Sequence, residues 1–267
     1  MKIITVNVNK GGTGKSTVSY TLAKWLTLVK NKKVLLIDGD RSCNLSYSFS
    51  EVGETSILDV FNKTGQVAEF YNVGENLDFI KGSERLEDNE LDLKSRQNNC
   101  MLLFMWIADN MDRLKDYDYM VIDTHNDTSL VTNNFLAVAD IVLGVSEPSR
   151  NGFRAWLELE ETLDNLKEEI VDPLSRQTYV TATPYLIANK VDHIGNSSKQ
   201  FLEMVELQPN YLGMVQKKEL LAKTLLEDRS IFEMHDTMNN NERARHESFY
   251  NNIDVLFEKI ISIVNEK

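Results

Sequence analysis

The run Asn-Lys-Gly-Gly-Thr-Gly-Lys-Ser-Thr at residues 9–17 holds the residue types a triphosphate needs, at a workable spacing. Gly11, Gly12 and Gly14 let the backbone around Thr13 curl so that successive N–H groups point inward at phosphate oxygens. Lys15 would reach the β- and γ-phosphates. Ser16 and Thr17 open a helix whose positive end adds to the anion site. A hydroxyl directly after such a lysine can ligate Mg²⁺, so the spacing predicts binding of ATP with Mg²⁺ on Ser16. Asn9 stands where the strict Gly-x4-Gly-Lys-[Ser/Thr] pattern has its first glycine. Lys10 adds a second cation inside the loop, five residues before Lys15.

These residues need strand ends to hold them. Residues 3–7 read as a short buried strand that runs into the loop. Val18, Leu22, Trp25, Leu26 and Val29 then recur at helical spacing over 16–30. Apolar runs at 34–37 and 119–122 each end in acid, at Asp38 and Asp123, and further runs lie at 77–80, 141–145 and 185–188. Helical spacing marks 101–114 and 153–170. Strands alternating with helices imply an α/β fold with a mostly parallel sheet covered on both faces. Ligands in such sheets bind beyond the carboxyl ends of the strands, so strand polarity brings the loops after Asn7, Asp38 and Asp123 together.

Of 267 residues, 42% are hydrophobic and 26% charged, the composition of a soluble globular chain. Few prolines and no low-complexity linker predict one domain over 1–267, with an amphipathic helix at 246–264 packed on it. No apolar stretch approaches the roughly 18–20 residues of a membrane span. With no export signal and only Cys43 and Cys100, the expected location is the cytoplasm with reduced thiols. A net charge of −12 argues against a surface that coats nucleic acid, while leaving room for a local basic patch.

The order Lys-Gly-Gly-x-Gly-Lys-[Ser/Thr]-Thr at 10–17 resembles the deviant Walker A motif of the ParA/MinD family of P-loop ATPases. Leu35-Leu36-Ile37-Asp38-Gly39-Asp40, with Asn44-Leu45-Ser46 beyond, is similar to its second motif, and 118–124 to its Walker B strand. The resemblance implies that Lys10 reaches across an ATP-dependent homodimer to the partner's phosphates. It places Asp38 and Asp123 near Mg²⁺ through water, and Asp40 beside the attacking water. Residues 76–80 and 84–93 look like the family's third strand and the helix after it. Glu147-Pro148 with Gly152 resembles its loop into a long helix. Asn189, after a strand, could hydrogen-bond adenine, and Gln216 stands where the family has an adenine-contacting proline. The sequence departs from the family after Asp123-Thr124, where His125-Asn126 replace two prolines. His125 invites a general-base role, although a loop histidine is more often structural.

By the same resemblance the ATP dimer would bind nonspecific DNA. Lys217, Lys218, Lys223 and Arg229 are the candidate contacts, interleaved with Glu219, Glu227 and Asp228. A ParB-type partner with a basic N-terminal segment would stimulate hydrolysis. The acidic net charge suits such a ligand. The alternatives are a MinD-like membrane or cargo positioner and a small-molecule ligase or kinase. Against the membrane branch, the stripe Phe249, Ile253, Leu256, Phe257, Ile260 and Val264 lacks a basic flank. An iron–sulfur relative would need cysteines near both switch loops, and Cys100 lies away from Asp123.

Overall fold

Strands and helices alternate along the chain, and the computed structural model describes residues 1–50, 52–62, 67–192 and 196–267. The strands are β1 (Lys2–Asn7), β2 (Val34–Gly39), β3 (Tyr71–Gly74), β4 (Leu77–Ile80), β5 (Tyr119–Thr124), β6 (Ile141–Ser146), β7 (Thr183–Val191) and β8 (Tyr211–Gln216). They form one sheet in the order β3-β4-β2-β5-β1-β6-β7-β8, parallel throughout except for the β3–β4 pair. The helices are α1 (Lys15–Leu28), α2 (Leu58–Phe61), α3 (Leu102–Asp109), α4 (Met111–Leu114), α5 (Leu130–Ala137), α6 (Arg150–Glu169), α7 (Asn196–Val205), α8 (Glu219–Glu227), α9 (Ile231–Asp236) and α10 (Asn240–Asn265).

The period of two in a strand explains how one sheet serves two cores. In β2, Val34 and Leu36 join the cluster that holds Trp25 of α1 and Phe257 of α10, while Leu35 and Ile37 join the opposite cluster with Leu103 and Phe135. Tyr119 and Val121 of β5 face the first cluster, and Met120 and Ile122 the second. Both faces are therefore apolar, and the central strands read as unbroken hydrophobic runs rather than alternating ones. The α10 stripe of Phe249, Ile253, Leu256, Phe257, Ile260 and Val264 is buried on the sheet. Trp25 meets the Phe257 ring edge-on and donates its Nε1–H to Asp254 Oδ1 at 2.9 Å.

Three local expectations are corrected. Residues 84–93 form turns and enter a 3-10 turn at Leu93–Ser95 instead of the helix the resemblance suggests. Their acids repel one another, and Asp88 is taken up in capping α5, accepting from the Leu130 and Val131 N–H groups at 3.0 and 3.1 Å. The helix expected at 101–114 is broken at Asn110, whose side-chain amide donates to the Trp106 carbonyl at 2.9 Å. Finally, α10 starts six residues before the expected 246, because Asn239 and Glu242 form a capping box.

Candidate active site

The loop between β1 and α1 turns through left-handed conformations at Gly12 (φ 77°) and Gly14 (φ 92°). A side chain at Gly14 would also strike the Asn189 amide, with its Cβ only 2.5 Å away. Gly14 is the N-cap of α1; no side chain caps this end and no acid occupies its first turn. The first N–H groups of a 14-residue helix are thus left to an external anion. They open onto a cleft of about 1380 Å³ lined by residues 11–18, Asp40, Asn126, Asn189 and Gln216, among others. Lys15 is buried there, its ammonium making only long contacts of 3.4 and 3.5 Å to the Val8 and Lys10 carbonyls. Burial pushes its pKa down, against the attraction of Asp123, Asp40 and Asp127. A phosphate there would offset that penalty with its negative charge.

Strand register assembles the acids. Asp38 and Asp123 are direct partners on the adjacent parallel strands β2 and β5, both fully buried. Burial, helped by the charge of Asp38, pushes Asp123 up to about 7, while the Ser16 hydroxyl and Lys15 pull it back. Ser19 donates to Asp123 Oδ1 at 3.0 Å, and Oδ2 is buried without a partner. Asp38 is likewise pushed up to about 6 by burial, although Ser46 and the Asp40 N–H donate to it. Ser46 contributes its N–H (2.9 Å) and its hydroxyl (2.7 Å), both to Oδ2. Asp38 therefore ties together both ends of the 40–46 loop. Asp40, by contrast, lines the cleft. Burial pushes its carboxylate up, but hydrogen bonds from His125 and the Ser42 N–H outweigh this and hold it below the usual carboxylate range.

Lys10 turns toward Glu147, a residue of the cleft wall, and away from Lys15. Its ammonium pairs with Glu147 and donates to Ser149 Oγ at 2.8 Å, at the N-terminus of α6. Asn189, expected at adenine, donates its amide to the Thr13 carbonyl at 2.6 Å and so braces the phosphate loop. Lys190, which sequence reading passed over, reaches the Gly12 carbonyl at 2.6 Å. The four C-terminal cations do not form one free face. Lys217 and Lys218 line the cleft, Lys223 pairs with Glu219 at 3.2 Å, and Arg229 donates to Thr237 and the Glu233 carbonyl. Ser19 was also passed over, and Ser46 was quoted within the second motif without a role of its own. Ser19 was within reach, since it lies one helical turn beyond Lys15 on the same side of α1.

The donor set suits Mg²⁺. Among the described residues no three acidic, histidine or cysteine side chains cluster into a metal cage. Mg²⁺ characteristically takes one or two protein oxygens and completes its octahedron with water and phosphate. The Ser16 hydroxyl and the unpartnered Asp123 Oδ2 supply oxygens of that kind, with Asp38 adjacent.

A glycine loop on an uncapped helix, a buried lysine and paired carboxylates at neighbouring strand ends define a P-loop nucleotide-binding protein. A family model described as an AAA domain (AAA_31) matches residues 1–176. The chain belongs to this family, and its phosphate loop places it with the ParA/MinD class. Among curated relatives, the sporulation initiation inhibitor protein Soj of Bacillus subtilis is 30% identical over 151 residues, which are 53% of this chain and 56% of Soj. A structure described as a candidate plasmid partition protein of Borrelia burgdorferi B31, bound to AMPPNP, superposes with a TM-score of 0.74 at 21% identity, covering 99% of this chain and 98% of that one. A McdA–ATP complex from Cyanothece gives 0.80 at 18% identity, covering 99% and 96%. At these identities the two structures share the fold.

Proposed function

We propose that the chain is an ATP-driven dimerising switch of the ParA type. It would hydrolyse ATP to ADP and phosphate in plasmid or chromosome partition, through ATP-dependent nonspecific DNA binding in the cytoplasm. The reading is carried by the placement of two lysines from one loop. Lys15 is buried in its own cleft, whereas the Lys10 ammonium is held at the cleft wall by Glu147 and Ser149. A loop cation engaged by Glu147 and Ser149 rather than by the Lys15 end of the loop would be available to a second subunit, where it would neutralise charge as the terminal bond breaks. Ser16, Asp123 and Asp38 would hold Mg²⁺, the latter two through water. Bound there, Mg²⁺ would supply charge neutralisation of the phosphates. Asp40, low in pKa and facing the cleft, would orient the attacking water.

DNA contact rests on Lys217, Lys218, Lys223 and Arg229, two of which are engaged within the chain. Binding would therefore be weak in the monomer and depend on doubling by the dimer. A stimulating partner with a basic segment fits the −12 charge. The test is retardation of nonspecific duplex DNA with and without ATP, across salt. Retardation that needs ATP and fades with salt is expected; equal mobility in both conditions counts against the partition role. A ligase or kinase on the same fold is a second reading. The cleft continues past the phosphate loop to Ile253 and Phe257, which leaves space for a second substrate.

A further inference from the structure

The replacement of a proline pair by His125-Asn126 has a counterpart across the site. Gly39 and Thr124 are register partners at the ends of β2 and β5, so the next residue on each strand, Asp40 and His125, leaves the sheet side by side. Their side chains meet, with His125 Nδ1 2.6 Å from Asp40 Oδ1 and both largely buried. On the far side of the ring, Arg41 Nε is 3.2 Å from His125 Nε2. An arginine N–H can only donate, so Nε2 accepts and the ring proton sits on Nδ1, donated to Asp40. Arg41 is itself anchored by an ion pair with Glu87. Asp40 Oδ1 thus receives two donors, the His125 ring and the Ser42 N–H at 2.7 Å. The Ser42 side chain also supports the carboxylate, and Oδ2 is the oxygen that the ring leaves unengaged. Asn126, the other replacement, borders the phosphate loop, its amide nitrogen 3.6 Å from a Cβ built on Gly11.

We propose that His125 is a positioning residue for ATP hydrolysis, locking the Asp40 carboxylate in the orientation that presents one oxygen to the attacking water. The proposal rests on the reading of the site as an ATPase. It differs from a general-base role for the histidine, because both ring nitrogens are engaged by protein groups and neither is open to a water proton. Its effect is expected on the chemical step, since His125 acts through Asp40. The Arg41–Glu87 pair acts one step further back, fixing the tautomer that can donate.

The experiment is steady-state ATP hydrolysis by the full chain and three variants, with nucleotide affinity measured alongside. His125→Ala should lower kcat about ten- to a hundredfold, the range for a misplaced reacting group. KM for ATP should stay within about twofold, because ground-state binding is untouched. His125→Asn puts an amide N–H one bond from Cγ, where Nδ1 stood, and should recover most of the lost rate. His125→Gln carries its amide one bond further and should not. Unchanged kcat in His125→Ala, a matching rise in KM, or a His125→Asn variant as slow as His125→Ala each overturns the proposal. Wild-type protein that turns over no ATP, or Lys15→Ala protein that does so at the wild-type rate, overturns the ATPase reading itself. Normal wild-type turnover with an indifferent His125→Ala overturns only the part assigned to the histidine.

Discussion

Ser46 uses its hydroxyl in both directions, donating to Asp38 Oδ2 at 2.7 Å and accepting from the Gly82 N–H at 2.7 Å. Removing it leaves a buried N–H and a buried carboxylate lone pair unpaired at once. Ser46→Ala should therefore cost about 2–4 kcal/mol of stability, with the penalty for orphaned buried groups dominating. A urea unfolding midpoint equal to wild type would mean that water takes the place of the hydroxyl. Asp38 and Asp123 were legible because an acid closing an apolar run has few structural reasons to be there, and Asp40 through the resemblance of 35–40 to the second motif. Ser46 and Ser19 carry no such mark. A serine becomes a ligand-holder only once the strand end opposite it is known, and that is a fact of sheet order rather than of neighbouring residues. His125 was visible as an odd residue, but its partner was not, for the same reason.

At the scale of elements, β2 and β5 set two buried carboxyls side by side, and this makes the metal-free fold sensitive to pH. Asp38 and Asp123 are pushed from 3.8 up to about 6 and about 7, mainly by burial. The unfolded chain gives up these protons near pH 4, whereas the folded chain keeps them to about 6 and 7. Their contribution to stability is full below the unfolded value and is lost as pH rises through the folded ones. Unfolding in urea, with chelator and without nucleotide, should show stability falling between pH 5 and pH 7.5. A rise across that window would show that neither carboxyl is buried uncompensated. Elements buried on both faces, such as β1, β2 and β5, were readable as continuous apolar runs. The antiparallel strand β3 was not, since Tyr-Asn-Val-Gly has neither a run nor an alternation, and its pairing is decided by β4 beside it. The acid-rich stretch 84–93 failed in the other direction: its charges are used as caps and ion pairs for other elements, and local helix formation gives way to them.

At the scale of the whole molecule the open question is whether one subunit completes another. Lys10 in the free chain is held by Glu147 and Ser149 at the entrance to α6. If Lys10 acts on a partner's phosphates, two inactive variants should rescue each other. Lys10→Ala keeps Asp40 and the nucleotide site but offers nothing to its neighbour. Asp40→Ala cannot orient water but still presents Lys10. In a mixed dimer, the Lys10→Ala subunit receives the lysine of its Asp40→Ala partner and regains one complete site. Equal mixing makes half the dimers mixed, each with one working site of two, so the rate should reach about a quarter of wild type. Were Lys10 to act within its own chain, each subunit would lack one group whatever its neighbour, and mixing would restore nothing. Hydrolysis measured across mixing ratios separates the two, because rescue in trans peaks at equal proportions while action in cis stays at the sum of the separate residual rates.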